Sequence, residues 1–362
     1  MLKKKIQDWY GKYERPVSSL FLIGGFVLDA LTIRMVSLYW QNIWIIANLI
    51  IISSCIVLVH VFQRNEGDEA NSAKIHFWLV NILQFFFGST LSTFLVFYFN
   101  GSDFFVSWPF LLVLAICFFA NEKFKRSYVR LTFQLSLLFL TLFSFSIFLI
   151  PIALHRIGTG IFLLSGVVSI ISICLISYLV RFFAMEEFEK TKKLLVISIG
   201  SIYIVVNFLY FSNIIPPIPF SLKNSGVFHT LSRKNGGDYL VTYEPKELAD
   251  RLSIYPEFHK APGELAYVYS AIFSPPKFST VVFHEWQQRD KNTGKWVTAN
   301  KVNLPIVGGR NGGFRTYSQK SNIQEGKWRV NVLTENGLVI GRIRFTVVNV
   351  NNKPILVEDI NK

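Results

Sequence analysis

Two patterns of hydrophobic and polar positions divide the chain near residue 216. Before that point long apolar runs dominate, and after it short apolar segments alternate with polar ones. Because roughly 20 apolar residues in a helix cross a hydrocarbon layer of about 30 Å, the first pattern predicts about seven transmembrane helices. The predicted spans are 17–33, 42–62, 76–98, 104–120, 131–153, 159–182 and 194–214.

The second pattern predicts β-structure. From residue 264 onward, β-branched and aromatic residues alternate with polar ones between turns rich in Gly, Pro and Asn. The predicted strands are 239–243, 265–273, 278–288, 295–306, 314–319, 327–334 and 338–348, with a short helix at 245–253. The expected fold class is therefore a membrane all-α bundle followed by an all-β, immunoglobulin-like sandwich domain.

These patterns divide the chain into four parts. A transmembrane helical domain covers residues 1–215, and a Pro-rich exit and connecting segment covers residues 216–262. The β-sandwich domain is expected over residues 263–350, and residues 351–362 form a C-terminal tail.

Loop charge predicts the orientation of the helices, since Lys and Arg accumulate on the cytoplasmic side. With a cytoplasmic N-terminus, the outer loops carry only Arg34 and Arg156, and an odd number of spans makes the C-terminal domain extracytoplasmic. The fifteen basic residues of the inner segments are Lys3, Lys4, Lys5, Lys12, Arg15, Arg64, Lys74, Lys123, Lys125, Arg126, Arg130, Arg181, Lys190, Lys192 and Lys193.

The last predicted hairpin carries the candidate binding residues. Asn336 and Gly337 between β-rich runs predict a type I′ turn, which needs positive φ at both positions. That turn places Arg329 directly across from Arg344, an arrangement that like-charge repulsion disfavours. Two explanations remain open: a neighbouring strand supplies acids, Glu285 among them, or the face binds an anion or a partner. The candidate residues are Lys327, Arg329, Arg342 and Arg344, with Arg310, Arg315 and Lys320 nearby.

Two further sets of residues have a structural and a functional interpretation. His284 and Trp286 project to one side of a predicted central strand, as a binding pair or, more commonly, as core residues. Polar groups in or near the spans fit an ion or substrate path, or else a helix end and interhelical hydrogen bonds. These intramembrane candidates are Asp29, Arg34, Asn81, Gln84 and Gln134.

Composition narrows the classes of function. The net charge of +14 suits a protein that lies against anionic lipid or an acidic polymer. No basic helix or aromatic RNA-reading motif accompanies it, so nucleic acid is not an expected partner. The three cysteines lie in apolar segments, at spacings that exclude a cysteine-based metal site. No catalytic motif is present, and neither a cofactor nor a metal is expected.

Several motifs resemble a family of uncharacterised bacterial multi-pass membrane proteins that carry a C-terminal domain of unknown function, number 2914. The resemblance is carried by residues 24–26, Asp29, 214–223, 284–286, 308–315, 317–320 and 326–330. It implies a bacterial inner-membrane location and the same architecture, without a known activity. The family's usual Arg between His and Trp is replaced here by Glu285.

The functional hypothesis is a non-enzymatic envelope protein in contact with the lipid bilayer. Its extracytoplasmic β domain is expected to bind an anionic lipid, lipopolysaccharide, a wall polymer or another envelope protein. Two alternatives stay open because a mere anchor needs only one helix. The chain could be a membrane-embedded enzyme or transporter with an accessory β domain, or a scaffold subunit of a membrane complex.

Overall fold

The structure, a computed structural model, describes most of both halves of the chain. The described residues are 39–64, 69–101, 111–116, 130–215, 220–234, 238–245, 253–274, 279–307 and 313–361. The chain divides into two compact units, one made mainly of residues 1–215 and the other of residues 216–362.

Within its described residues, the first unit contains five helices that are long and apolar enough to cross a membrane. They are α1 (Tyr39–Arg64), α2 (Glu69–Gly101), α3 (Leu131–Leu154), α4 (Thr159–Phe183) and α5 (Met185–Phe211). Each of them contains one predicted span, or nearly all of it. The predicted span 17–33 lies outside the described residues, and of the span 104–120 only residues 111–116 are described, as helix.

Helix α3 is the most enclosed of the five helices. Of its most apolar stretch 67% is buried, against 28% for α4 and 22% for α5. Aromatic side chains join the three helices, since the ring of Phe143 on α3 lies 5.9 Å from that of Phe162 on α4 and 5.6 Å from that of Tyr203 on α5. Gly166 leaves the space for this contact, because a Cβ there would lie 3.0 Å from the Tyr203 ring.

The second unit contains eleven strands within the described ranges. They are β1 (Ser221–Phe228), β2 (Thr230–Arg233), β3 (Tyr239–Tyr243), β4 (Glu257–Lys260), β5 (Ala266–Phe273), β6 (Ser279–Arg289), β7 (Trp296–Val307), β8 (Phe314–Lys320), β9 (Gly326–Thr334), β10 (Val339–Asn349) and β11 (Val357–Asn361). The seven predicted strands are confirmed to within one residue at each end. Of the helix expected at 245–253, residues 246–252 lie outside the described chain.

The strands form three sheets. A five-stranded sheet has the order β4-β10-β9-β6-β7, and two three-stranded sheets have the orders β1-β5-β8 and β11-β3-β2. All neighbours are antiparallel except β4 and β10, which are parallel. Strands therefore also lie outside the range 263–350, both in the connecting segment and in the C-terminal tail.

Alternation along β6, β9 and β10 decides which side of the five-stranded sheet forms the core. Val282, His284 and Trp286 of β6 are fully buried, as are Trp328 of β9 and Phe345 of β10 to within 1%. The rings of Trp328 and Phe345 lie edge-on to that of Trp286, at centroid distances of 6.5 and 6.3 Å. Burial of such large aromatic groups is a major source of stability in a domain without disulfides.

The β9–β10 hairpin turns differently from the prediction. Of Asn336 and Gly337 only Gly337 has positive φ, at 79°, so the type I′ assignment is wrong. The Gly337 N–H donates to the Thr334 carbonyl at 3.0 Å and Thr334 N–H to the Leu338 carbonyl at 2.9 Å, which defines a three-residue loop. An irregularity between Val339 and Gly341 offsets the extra loop residue, so the predicted register is nevertheless confirmed beyond it.

Gly313 shows why the glycine-rich stretch before β8 needs glycine at its end. Its φ is +84°, and a Cβ there would lie 3.0 Å from backbone atoms of Ala271 and Ile272 on β5. The close approach of two strands therefore excludes a side chain. Residues 308–312 of the stretch lie outside the described chain.

Candidate functional site

The candidate site lies on the side of the β9–β10 pair that faces away from the core. Arg329 is directly opposite Arg344, Trp328 opposite Phe345 and Val330 opposite Ile343, as the sequence predicts. Since the tryptophan side is buried, the charged side chains project to the other side of the sheet. We call four of them, Lys327, Arg329, Arg342 and Arg344, the basic face.

A hydrogen-bond network crosses the sheet beneath the basic face. Arg329 Nε donates to Gln287 Oε1 at 2.7 Å, and Arg342 Nε donates to Asn331 Oδ1 at 2.7 Å. Asn331 Nδ2 in turn donates to Glu285 Oε2 at 2.9 Å. The neighbouring strand thus contributes Glu285, the acid that the sequence indicated, and Asn331 connects it to an arginine.

Cations outnumber acids on this side of the sheet. Lys301 of β7, which lies opposite Glu285, and Arg289 of β6 add two positive charges to the four of the basic face by strand alternation. By strand alternation, the acids on the same side of the described sheet are Glu285 of β6 and Glu257 of β4. The excess positive charge creates a field that attracts anions.

Two aromatic rings lie among the cations and orient them. The Arg329 guanidinium carbon is 4.3 Å from the centroid of the Trp296 ring, and Lys327 Nζ is 5.1 Å from that of Tyr255. The two rings are nearly parallel, at 9°, with centroids 6.4 Å apart. A guanidinium stacked on an aromatic ring keeps its plane fixed while its edge donors remain available for hydrogen bonds.

The arginines of the basic face repel one another electrostatically. Burial, and then the charge of Arg342, lower the pKa of Arg329 to about 10, and Arg344 acts in the same direction. Tyr255 and Glu285 act against this shift. The Arg329 guanidinium is thus partly desolvated and is repelled by Arg342 and Arg344. An anion bound there would relieve that repulsion, because opposite charges favour the charged form.

Of the other predicted basic residues, the two that the structure describes do not join the basic face. Arg315 lies on β8, in a different sheet, and its Nη1 donates to Asp238 Oδ1 at 2.7 Å. Lys320 ends the same strand, with its Nζ 5.8 Å from the centroid of the Trp328 ring. Arg310 lies outside the described residues.

His284 and Trp286 are core residues that join two sheets. The ring of His284 lies between two hydroxyls, with Nε2 2.8 Å from Ser270 Oγ and Nδ1 2.9 Å from Ser318 Oγ. Trp286 Nε1 donates to the same Ser318 oxygen at 2.9 Å. Burial lowers the pKa of His284 to about 3, so the ring is neutral in the folded domain. Of the two interpretations offered by the sequence, His284 and Trp286 fit that of core residues.

The described intramembrane candidates lie on α2 and α3. Gln134 of α3 is fully buried, and its Oε1 is 2.9 Å from Nε2 of His60 on α1. Asn81 and Gln84 are half-buried on α2. Asp29 and Arg34 lie outside the described chain. The Gln134 contact is an interhelical hydrogen bond of the kind that the sequence suggested.

A second polar cluster was missed by the sequence reasoning. His229, between β1 and β2, is 2% exposed and has carboxylates on both ring nitrogens. Its Nδ1 is 2.9 Å from Glu264 Oε1 and its Nε2 is 3.0 Å from Glu244 Oε1. Two carboxylate acceptors require two N–H donors, so His229 is a protonated imidazolium in this arrangement.

The cluster extends to His259 on β4. Its ring Nδ1 is 2.5 Å from Glu244 Oε2, and its backbone N–H donates to Glu244 Oε1 at 2.8 Å. Burial alone would raise the pKa of Glu244, but the hydrogen bonds of His229 and His259 outweigh burial and lower this pKa to about 2. The residues of the cluster are spread over positions 229 to 264 and no short motif joins them, so no local signal in the sequence predicts the cluster.

The cluster does not have the arrangement of a metal centre. In the part of the chain that the structure describes, no three His, Cys, Asp or Glu side chains are placed to hold one ion. The carboxylates instead point at the ring nitrogens of His229.

The architecture defines a class: long apolar helices compatible with a membrane, followed by a C-terminal β-sheet region. Residues 279–347 match the family model described as "Protein of unknown function (DUF2914)". The chain therefore carries a C-terminal domain of this type, as the resemblance implied. The matched residues run from β6 into β10 and include the whole basic face.

Other comparisons add little. No curated protein matches the chain. A β-glucosidase from Listeria innocua is 14% identical over 31% of this chain and 16% of its own, with a TM-score of 0.20. The DNA-bound alkylpurine DNA glycosylase AlkC of Pseudomonas fluorescens is 10% identical over 83% of this chain and 97% of its own, with a TM-score of 0.22. The chain spans about a sixth of the β-glucosidase, and neither likeness supports a conclusion about fold or function.

Proposed function

We propose that this protein is a non-enzymatic component of a bacterial envelope whose β domain binds an anionic envelope component through the basic face. The observation that carries the proposal is the arrangement of Arg329, Arg342 and Arg344 on adjacent strands, in excess over the acids on the same side of the sheet. The ligand chemistry that fits is a phosphate or carboxylate group, because planar guanidinium donors bind both groups through paired hydrogen bonds.

The aromatic rings support a binding role over a purely structural one. A structural explanation needs only enough acid to offset the arginines, and the described strands provide Glu285 through Asn331. Trp296 and Tyr255 add ring faces that hold Arg329 and Lys327 in place. Side chains that are fixed before binding lose less conformational entropy when a ligand arrives.

We propose the following membrane arrangement for this function. The five described helices and the predicted spans 17–33 and 104–120 make seven crossings, with the N-terminus in the cytoplasm and the β domain outside it. The support is the bias of basic residues toward the inner loops. We further propose that the β domain is an immunoglobulin-like sandwich, since His284 and Trp286 of one sheet bond to Ser270 and Ser318 of another.

The test is a binding assay with the full chain in neutral phosphatidylcholine nanodiscs. The probes are phosphatidylglycerol vesicles, lipopolysaccharide and a phosphate-rich wall polymer, with phosphatidylcholine vesicles as the neutral reference. The double reversal Arg329→Glu and Arg344→Glu should weaken binding to the preferred probe by at least about tenfold, a loss of about 1.4 kcal/mol. The neutral pair Arg329→Gln and Arg344→Gln should lie between the reversal and the wild type.

A charge-matched control separates this site from the net charge of the protein. Arg233→Glu and Lys353→Glu remove the same charge from exposed positions outside the five-stranded sheet. These two changes should leave binding within about threefold, and added salt should weaken wild-type binding. Equal losses in both double variants, or no binding of the wild type to any anionic probe, contradicts the proposal.

A further inference from the structure

The cluster around His229 includes His259 of β4, the strand at the edge of the five-stranded sheet that carries the basic face. Glu244 follows β3 and Glu264 precedes β5, while His259 belongs to β4. Phe258 of β4 stacks on the His229 ring at a centroid distance of 4.3 Å. The cluster therefore connects β4 to the polypeptide on both sides of it.

Strand β4 also determines the position of one ring of the basic face. Tyr255, which stacks with Trp296 and lies beneath Lys327, is two residues before the start of β4. Between them, the Pro256 carbonyl accepts a hydrogen bond from Thr346 N–H of β10 at 2.9 Å. A displacement of β4 from β10 would thus carry Tyr255 away from the other residues of the site.

We propose that His229, Glu244, Glu264 and His259 form a proton-dependent clamp that keeps β4 and Tyr255 in place, and that loss of the His229 proton opens it and weakens anion binding. This inference rests on the proposed function for its last step only. Neutral His229 has a single N–H and would present a lone pair to one of the two carboxylates. The contact that stabilises the closed form would then become repulsive.

The direction of the pH dependence follows from the surroundings of His229. Burial alone would lower the pKa of His229, but the hydrogen bonds and charges of Glu244 and Glu264 raise it above its ordinary value. A raised pKa in the folded state stabilises the clamp fully below the unfolded pKa of about 6.5, and the stabilisation is lost as the pH rises through the folded value. The clamp is accordingly closed in acid and opens in alkali.

The other charged groups near His229 reach it through Glu244. His259 contacts Glu244 and is 33% exposed at its side chain, and Glu257, 3.4 Å from His259 Nε2, is 60% exposed. The partner on the β4 side, Phe258, is apolar. The charge of the buried His229 ring is therefore set by Glu244, Glu264 and burial.

Replacement of Glu264 by Gln provides a sharp test. Glu264 uses Oε1 for His229 Nδ1 and Oε2 for the backbone N–H of Ala261, at 2.9 Å each. In Glu264→Gln the amide oxygen keeps the Ala261 bond, and the amide nitrogen donates to the Nδ1 lone pair of a neutral His229. The single remaining imidazole N–H then serves Glu244, so this variant should stay closed without the proton.

The measurement is hydrogen–deuterium exchange by mass spectrometry on the full chain in neutral nanodiscs, without ligand, between pH 6 and pH 9. Labelling times are scaled to the intrinsic exchange rate at each pH. Wild-type peptides that cover β4 should lose at least about tenfold in protection at pH 9, while Glu264→Gln should change by less than about threefold. Glu335→Gln, which changes an exposed acid of the β9–β10 loop outside the cluster, should behave like the wild type.

The same samples then test the link to binding. The preferred anionic probe should bind the wild type more weakly at pH 9 than at pH 6, and Glu264→Gln equally at both. Wild-type protection that is flat with pH, or lost equally in Glu264→Gln, overturns the clamp even if anions bind. A protein that binds no anion at any pH overturns the proposed function, and the exchange data still decide whether the clamp exists.

Discussion

At the scale of single residues, the hydrogen-bond partners of a buried histidine determine whether it is neutral or charged in this domain. His284 contacts only hydroxyl groups through its nitrogens and is kept neutral, whereas His229 lies between carboxylates and is charged. The two residues therefore affect stability on opposite sides of neutral pH. This difference cannot be read from the sequence, because it depends on partners that lie 14 to 35 residues away.

His284 leads to a prediction about acid stability. Since its pKa is lowered to about 3, the unfolded chain binds a proton between pH 6.5 and pH 3 that the folded domain does not. As the pH falls through that window, this residue should lower the free energy of unfolding by up to about 1.4 kcal/mol per pH unit. Urea unfolding of the full chain in detergent, followed by tryptophan fluorescence, should show a shallower acid dependence in His284→Gln. An unchanged slope contradicts the assignment.

At the scale of elements, sequence pattern predicted the strands well where alternation was strong. Strands β5 to β10 have regular apolar positions and clear turns, and the register of β9 on β10 followed from them. Strand β1 was not predicted, because its residues Ser221–Phe228 are mostly polar. It is the edge strand of its sheet and pairs only with β5 among the described strands. An edge strand needs fewer apolar residues, so its pattern is weak.

The candidate site was predictable only in part for a related reason. The arginines of the hairpin follow from local pairing, but Trp296 and Tyr255 reach them from residues far away in the sequence. The cluster around His229 combines residues from four different segments. Periodicity reports on the face to which a residue belongs, and it does not report which distant residue lies above that face.

The helix pair α1–α3 offers a test of the interhelical hydrogen bond. Gln134→Leu removes the contact with His60 and should destabilise the helical unit by about 1 kcal/mol, the usual range for such bonds in membranes. Unfolding in mixed detergent micelles measures the change. Thr141→Val is the control, since the Thr141 hydroxyl bonds to the Leu138 carbonyl of its own helix. Equal effects of the two changes contradict an interhelical role for Gln134.

At the scale of the whole molecule, the number of helices and the charges of the loops must agree on one topology. The proposed seven spans place Lys193, just before the predicted span 194–214, in the cytoplasm and Lys353, after β10, outside it. Both side chains are exposed in the structure. The two positions precede and follow the last predicted span in the sequence, so they allow the arrangement to be tested on both sides of the membrane.

Single cysteines at Lys193 and Lys353, in a variant without Cys55, Cys117 and Cys174, should react differently with a membrane-impermeant maleimide. In intact spheroplasts Lys353→Cys should be labelled, and Lys193→Cys only after the cells are lysed, because basic residues remain on the cytoplasmic side. The opposite pattern contradicts the extracytoplasmic location. The result also bears on the clamp, since a domain outside the cytoplasm meets the external pH directly. In that location the His229 proton would couple the acidity of the surroundings to the strength of anion binding.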